Sequence, residues 1–284
     1  MASLDSVNPN AMTGRAFLAV LGAWLTLATT ASAQGLQSQS VIYDVKPAKA
    51  DDELYVEGTA SFTLTRSCEG WALGEVFQLG WEKGPGAGAQ KKLSNKADRL
   101  EDRLTVQESL DGRTLTYQTR LRQNARVTTA TGKATLGAEP GKLLADLGRY
   151  KQESELPAGT LAPAAARAAL LKALVADTPG KFEIRTVELL RFHKPIVQQF
   201  AQLPPQDLSI ARALPKDLKT SDKDFATGRT WAVLRRVADF NEFGDELWLV
   251  HQSGAIVRQI IQRQGIKLLL EAREITLFPA PKCE

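Results

Sequence analysis

From Leu54 onward the chain repeatedly places apolar residues two positions apart. Phe62 and Leu64 alternate with Ser61, Thr63 and Thr65, and Trp71, Leu73, Phe77 and Leu79 fall on the same period. A period of two marks a half-buried β-strand, because successive side chains of an extended chain point to opposite faces. The runs are short and end at turn residues: Cys68-Glu69-Gly70, Asp111-Gly112, Gly244-Asp245, Ser253-Gly254 and Gly265. Asp-Gly between alternating segments is a strong hairpin signal.

Read in order, strands are predicted at Val41–Val45, Leu54–Arg66 and Trp71–Leu79. Others are predicted to begin at Leu104, at Leu115 and at Val127, the last running to Ala134. The character changes at Pro163–Asp177, which is rich in Ala and Leu, has Pro near its start and is followed by Pro179-Gly180. Those are helix start and stop signals, with Leu170, Leu171, Leu174 and Val175 as the apolar stripe. A shorter helical turn is predicted around Leu143–Leu147. Strand composition returns at Phe182–His193 and Ile196–Phe200. A long loop is expected from Pro204-Pro205 through Lys216–Lys223. The last quarter reads as antiparallel strands over Thr230–Phe240, Glu246–Gln252, Ala255–Gln262 and Ile266–Phe278. The predicted fold class is mainly β: a curved, barrel-like antiparallel sheet with one clear helix. One sheet of this size must curl or close, because long flat edges invite aggregation.

Residues Ala16–Ala33 form an uncharged apolar stretch preceded directly by Arg15 and ending in Ala31-Ser32-Ala33. This is the pattern of an export signal, with cleavage after Ala33 leaving Gln34 first. The weakly hydrophobic end and short apolar centre favour cleavage over an uncleaved anchor helix. Asp5 and two asparagines ahead of the only arginine are foreign to such a signal, so Met12 competes with Met1 as the start. Residues 1–33 are thus assigned to the signal peptide and residues 34–284 to a single domain. The periplasm is the expected compartment.

The exported part holds two cysteines, Cys68 and Cys283. An even count in an exported chain favours a disulfide over two buried thiols. Such a bond would tie the C-terminal tail to an early strand and hold the ends of an extended sheet together. A redox role would need a close pair such as C-x-x-C, and two Cys with two His at unrelated spacings match no metal-ligand pattern.

The formal charge is +4, with 36 basic and 32 acidic residues interleaved along the chain. This mild excess biases the surface toward anionic lipid but lacks the basic stripe of a nucleic-acid binder. The Gly84–Gly88 run resembles a phosphate loop only superficially, since no helix pattern follows it. His193 and His251 are expected on separate strands in structural or surface roles, without a nucleophile or orienting carboxylate in reach. Asp51-Asp52-Glu53 and Glu101-Asp102 read as solvated loop charges, because neighbouring carboxylates on a strand face opposite ways. Trp71, Trp81, Trp231 and Trp248 read as core more readily than as a sugar- or lipid-binding face. No catalytic residues, cofactor site or metal site are expected, and the chain reads as a non-enzyme.

Four stretches together resemble the EipB family of periplasmic cell-envelope integrity proteins. They are Tyr43-Asp44 with the Gly58–Gly70 hairpin and Cys68-Glu69-Gly70-Trp71; Asp111-Gly112 through Leu115-Thr116-Tyr117 and Gly132-Lys133-Ala134; Leu156-Pro157-Ala158-Gly159-Thr160-Leu161 before Pro163; and Arg229-Thr230-Trp231 through Leu277-Phe278-Pro279-Ala280-Pro281-Lys282-Cys283. The resemblance covers nearly the whole exported chain in order. It implies a β-spiral, a Cys68–Cys283 bridge, and an envelope role with no known reaction. It also implies an architecture similar to periplasmic lipoprotein carriers and to a regulator of envelope stress. The sequence departs from the family after Pro163, where Ala164-Ala165-Ala166 stands in place of polar residues and a histidine, so no partner-binding role carries over to that helix start. Two functions follow as expectations. The first is support of envelope integrity through an unidentified protein partner, and the second is carriage of an apolar ligand such as a lipid or acylated protein.

Overall fold

The computed structural model describes residues 35–89, 92–176, 180–204, 214–238 and 244–283. The expected signal peptide and its cleavage site lie outside the described residues. Fifteen strands and one α-helix are described. The strands are β1 (Gln39–Pro47), β2 (Leu54–Arg66), β3 (Gly70–Lys83), β4 (Asp98–Ser109), β5 (Thr114–Gln123), β6 (Arg126–Thr135), β7 (Gly141–Asp146), β8 (Lys151–Leu156), β9 (Lys181–Glu188), β10 (Lys194–Gln202), β11 (Lys219–Thr220), β12 (Thr230–Val237), β13 (Asp245–His251), β14 (Ile256–Arg263) and β15 (Ile266–Leu277). The helix is α1 (Pro163–Val175), between β8 and β9.

All of the strands belong to one sheet, in the order β8-β7-β6-β5-β4-β3-β2-β1-β15-β14-β13-β12-β10-β9. The short β11 lies off this path and pairs in parallel with β15. Two antiparallel meanders, β1–β8 and β9–β15, therefore meet where β1 pairs with β15. The first and last strands lie side by side in the middle of the sheet, while its two ends, β8 and β9, come from the middle of the chain. The mainly β class and the curved sheet predicted from alternation are what the structure shows.

Alternation places the core. Val41, Tyr43 and Val45 of β1 and Leu268, Leu270, Ala272 and Ile275 of β15 are buried, as are Phe62, Leu64, Leu73, Val106 and Leu115. The β14–β15 hairpin turns through Gln264 and Gly265, with φ of 52° and 72°. Two consecutive positive φ angles are the requirement of the tight turn that matches strand twist, which explains the glycine. Edge strand β8 keeps Lys151, Glu153 and Glu155 exposed, the charged pattern that discourages further strand addition.

Several expectations are corrected. Leu143–Leu147 does not form a helical turn. Gly141–Asp146 is a strand paired with β6 and β8, and Leu143 and Ala145 point into the core. The run is too short to sustain a helix against two available ladders. The strand expected over Phe182–His193 stops at Glu188, whose carboxylate accepts the amides of Leu190, Arg191 and Phe192. Local side-chain capture of the backbone competes with the ladder there. His193 thus sits in a loop, at φ 50°. The expected Lys216–Lys223 loop contains β11. In α1, Leu170, Leu171 and Leu174 are buried, whereas Val175, assigned to the same stripe, is 58% exposed.

Candidate functional site

The two ends of the sheet curl toward each other but are not joined by a β-ladder. Gln152 of β8 donates to the carbonyls of Phe192 and His193 at 3.1 and 3.2 Å, and the Ser154 hydroxyl donates to the His193 carbonyl at 3.0 Å. Tyr117 of β5 lies 3.1 Å from His193 Nδ1 through its hydroxyl and stacks on the ring. Arg191 pairs with Asp102 of β4 at 3.2 Å. Further along, Leu161 forms an isolated parallel bridge with Thr186. Side chains and one loop therefore make the seam, not a continuous row of backbone bonds.

Helix α1 packs against the inside of the curl. Its C-terminal half, with Leu170, Leu171 and Leu174, sits against Ile184, Phe200, Trp231, Val233, Val250 and Ile256. The helix begins with Pro163 at its first turn, where a missing amide costs nothing, and its N-cap Ala162 provides no side-chain cap. Glu108 of β4 supplies that cap from a distance, accepting the amides of Ala164 and Ala165 at 2.9 and 3.2 Å. Burial pushes the Glu108 carboxyl up to about 7, against the downward pull of these two bonds.

Between helix and sheet lies a cavity of about 300 Å³. Leu73, Phe77, Leu104, Ile196, Ile261 and Leu270 supply apolar wall. Four arginines, Arg167, Arg191, Arg235 and Arg263, and four carboxylates, Glu75, Asp102, Glu188 and Glu246, also line it. Such a charge density inside a β structure is unusual, because a buried charge must be paired to offset its lost hydration. Most of these charges are paired. Arg235 bonds Glu246 at 2.6 Å, Arg263 approaches Glu246 at 3.6 Å, and Arg191 holds Asp102. Glu188 is held by backbone amides.

Arg167 and Glu75 differ. The Arg167 guanidinium lies 3.8 Å over the Phe62 ring, and its Nη1 is buried with no hydrogen-bond partner among the described residues. Glu75 is the cross-strand neighbour of Phe62. Burial raises the Glu75 carboxyl above its ordinary range, with Arg167, Arg263 and Arg235 pulling the other way. Burial likewise lowers Arg167, but a guanidinium stays protonated in proteins. Arg235 also keeps a buried Nε without a partner among the described residues, but its Nη1 is bonded to Glu246. Arg167 is the wall guanidinium that has an orphan donor and no carboxylate bonded to it among the described residues, beside a carboxyl biased toward its neutral form.

The residues singled out in the sequence fall elsewhere or play other parts. Cys68 and Cys283 are bridged, with Sγ–Sγ 2.08 Å and Cα–Cα 5.5 Å. The bridge ties the β2–β3 turn to the tail beyond β15. It does not join the ends of the sheet, which are β8 and β9, because β1 and β15 meet at its centre. His251 is a turn clamp: its Nδ1 accepts the Ser253 amide at 3.1 Å, which leaves Nε2–H to donate to the Phe225 carbonyl at 3.0 Å. Burial holds both histidines below their ordinary value. Trp71, Trp81 and Trp231 are core, while Trp248 lines the cavity. Asp51, Asp52 and Glu53 are exposed as expected, and Gly84–Gly88 packs back on them, Gly88 donating its amide to the Asp52 carbonyl at 3.0 Å. Asp102 corrects the solvated-loop reading of Glu101-Asp102, for it is buried on β4 and faces the cavity.

The cavity charges carried a sequence signal that apolar counting passes over. Glu75 stands in register between Leu73 and Phe77, Asp102 between Leu100 and Leu104, and Arg235 between Val233 and Val237. Each is an inward position of its strand. Arg167 gave no comparable signal, since one arginine in a helix is ordinary.

No family model matches the sequence, and no curated protein matches it. Among solved structures, the fold is similar to the crystal structure of a β-barrel-like protein of the domain of unknown function DUF1849 from Brucella abortus. The TM-score is 0.67 at 12% identity, over 86% of this chain and 99% of that one. At that identity the likeness speaks to architecture: the chain has the β-barrel-like fold of a DUF1849 protein, its sheet ends meeting at a side-chain seam around a charged cavity.

Proposed function

We propose that the chain is an exported periplasmic member of the EipB family that supports the cell envelope as a non-catalytic binding protein, holding a small ligand between helix α1 and the sheet. The observation that carries this reading is the cavity itself. Its volume of about 300 Å³ falls at the lower end of the range for small-molecule sites, and its mixture of apolar wall and a few convergent polar groups is what such sites use. The Ala31-Ser32-Ala33 signal and the Cys68–Cys283 bridge support export, since disulfides persist in oxidising compartments. The fold likeness and the four matching sequence stretches support the family. The wall is less apolar than expected for a plain lipid carrier. Action through a protein partner rests on the family resemblance alone.

Native mass spectrometry tests this on protein extracted gently from the periplasm, with thiols blocked at lysis. The expected mass starts at Gln34, carries no blocked thiol and includes a non-covalent small molecule. A chain that retains residues 1–33 and stays in the cytoplasm would remove the export reading. A chain that arrives empty and takes up no small amphiphile afterwards would remove the binding reading.

A further inference from the structure

We infer that the ligand of this cavity is a singly charged carboxylate amphiphile, with its head on Arg167 and its tail against the apolar wall, about ten carbons in all with the head included, taking about 30 Å³ per water-sized group as the yardstick. The inference rests on the binding reading above and gives it a chemistry.

Three observations lead to it. The first is the incomplete pairing of Arg167. Among the described residues, Arg191, Arg235 and Arg263 each have a carboxylate partner on the cavity wall, whereas Arg167 lies over the face of Phe62 with a buried, unpartnered Nη1 and feels Glu75 electrostatically without being bonded to it. A guanidinium presents its donors in a fork that matches a carboxylate. A ligand oxygen is the natural acceptor for the orphan N–H.

The second observation is Glu75, opposite Phe62 on the neighbouring strand. In its neutral form, the one its burial favours, it can donate a hydrogen bond to the same head. A doubly charged phosphate would have to enter beside Glu188 and Glu246, with Arg167 as the wall guanidinium that no carboxylate bonds among the described residues. One negative charge suits one guanidinium.

The third observation is placement. Arg167 and Leu170 lie three residues apart on α1, hence on one helix face, and both line the cavity. Leu73 and Phe77 flank Glu75 on the inward face of β3. Head-binding and tail-binding groups therefore come from the same two elements, and an amphiphile lying between them meets both.

The test is isothermal titration calorimetry on the purified, disulfide-bonded protein, freed of bound small molecules on a hydrophobic resin. The probes are decanoate, 1-decanol and acetate. Decanoate should bind one per chain, with decanol and acetate weaker by about tenfold or more. Arg167→Gln should weaken decanoate by about the same factor and leave decanol unchanged. The comparison of decanoate with decanol needs no variant, so it stands even where Arg167→Gln fails to fold. Decanol binding as tightly as decanoate, or acetate binding as tightly without a tail, would overturn the carboxylate-amphiphile assignment while leaving the cavity a binding site. Failure of both decanoate and decanol to bind would overturn the assignment and the binding reading together.

Discussion

The carboxylate of Glu108 accepts the amide of Ala164 at 2.9 Å across 56 residues of chain, so a strand residue caps a helix that has no side-chain cap of its own. This contact anchors α1 to β4, and through α1 it orients Arg167 toward the cavity. Glu108→Ala strands buried amides at the helix start and should cost about 1–3 kcal/mol, read as a lower urea midpoint with an unchanged slope.

The same residue predicts a pH dependence. Its folded pKa is raised from 4.5 to about 7. The folded state therefore holds the proton more tightly, and this contribution to stability is fully present below pH 4.5 and lost as pH rises through 7. His193 and His251, held below their ordinary value, act the opposite way, their contribution being present above about 6.5 and lost as pH falls below it through their lower folded values. Subtracting the Glu108→Gln stability curve from that of the native protein removes the histidines. The difference should decline between pH 4.5 and 7, and a flat difference would show that Glu108 titrates alike in the folded and unfolded states.

Cys68 and Cys283 brace the one place where the two meanders share a ladder, β1 with β15. The loop spans 215 residues, for which chain entropy gives at most about 5 kcal/mol. Cys68→Ser should therefore melt lower than the native protein in oxidising buffer and together with it under reduction. Equal melting in oxidising buffer would mean the bond contributes nothing.

Tyr117 pairs across strands with Gly132, and a Cβ at Gly132 would lie 2.3 Å from the tyrosine ring and 2.4 Å from the Leu144 carbonyl. Gly132→Ala must displace the ring that reaches His193 at the seam. Gly74, also in a strand, has open space in the same place. Gly132→Ala should destabilise by about 1–3 kcal/mol, in the manner of overpacking. Gly74→Ala should be neutral or slightly stabilising. Hydrogen exchange should quicken at Phe192 and His193 in the Gly132 variant alone.

Arg235 and Glu246 form a buried pair, 11% and 2% exposed at their side chains. Glu246→Ala leaves Arg235 without its closest partner and should cost about 3–5 kcal/mol, whereas the joint Arg235→Met, Glu246→Leu change should cost less than Glu246→Ala alone. Chemical denaturation of the three proteins checks the ordering.

The residue pattern by itself determined the local structure. Alternation around Phe62–Leu64 and Trp71–Leu79, the Asp111-Gly112 turn and the Pro163 helix start all act within a few residues of one another, where steric preference decides. Pairing was outside its reach wherever a short segment had two options. Leu143–Leu147 became a strand because β6 and β8 offered ladders on both sides, and His193 left its strand because the Glu188 carboxylate captured the next amides. The cavity was half legible: Glu75, Asp102 and Arg235 occupy inward positions of their strands, but an inward position does not say whether it faces packed core or open space. That depends on how far the sheet curls and where α1 comes to rest. Only the tertiary structure decided this, because the contacts that set it, Glu108 with Ala164, Gln152 with His193, and Arg167 over Phe62, join residues far apart in the chain that no local preference brings together.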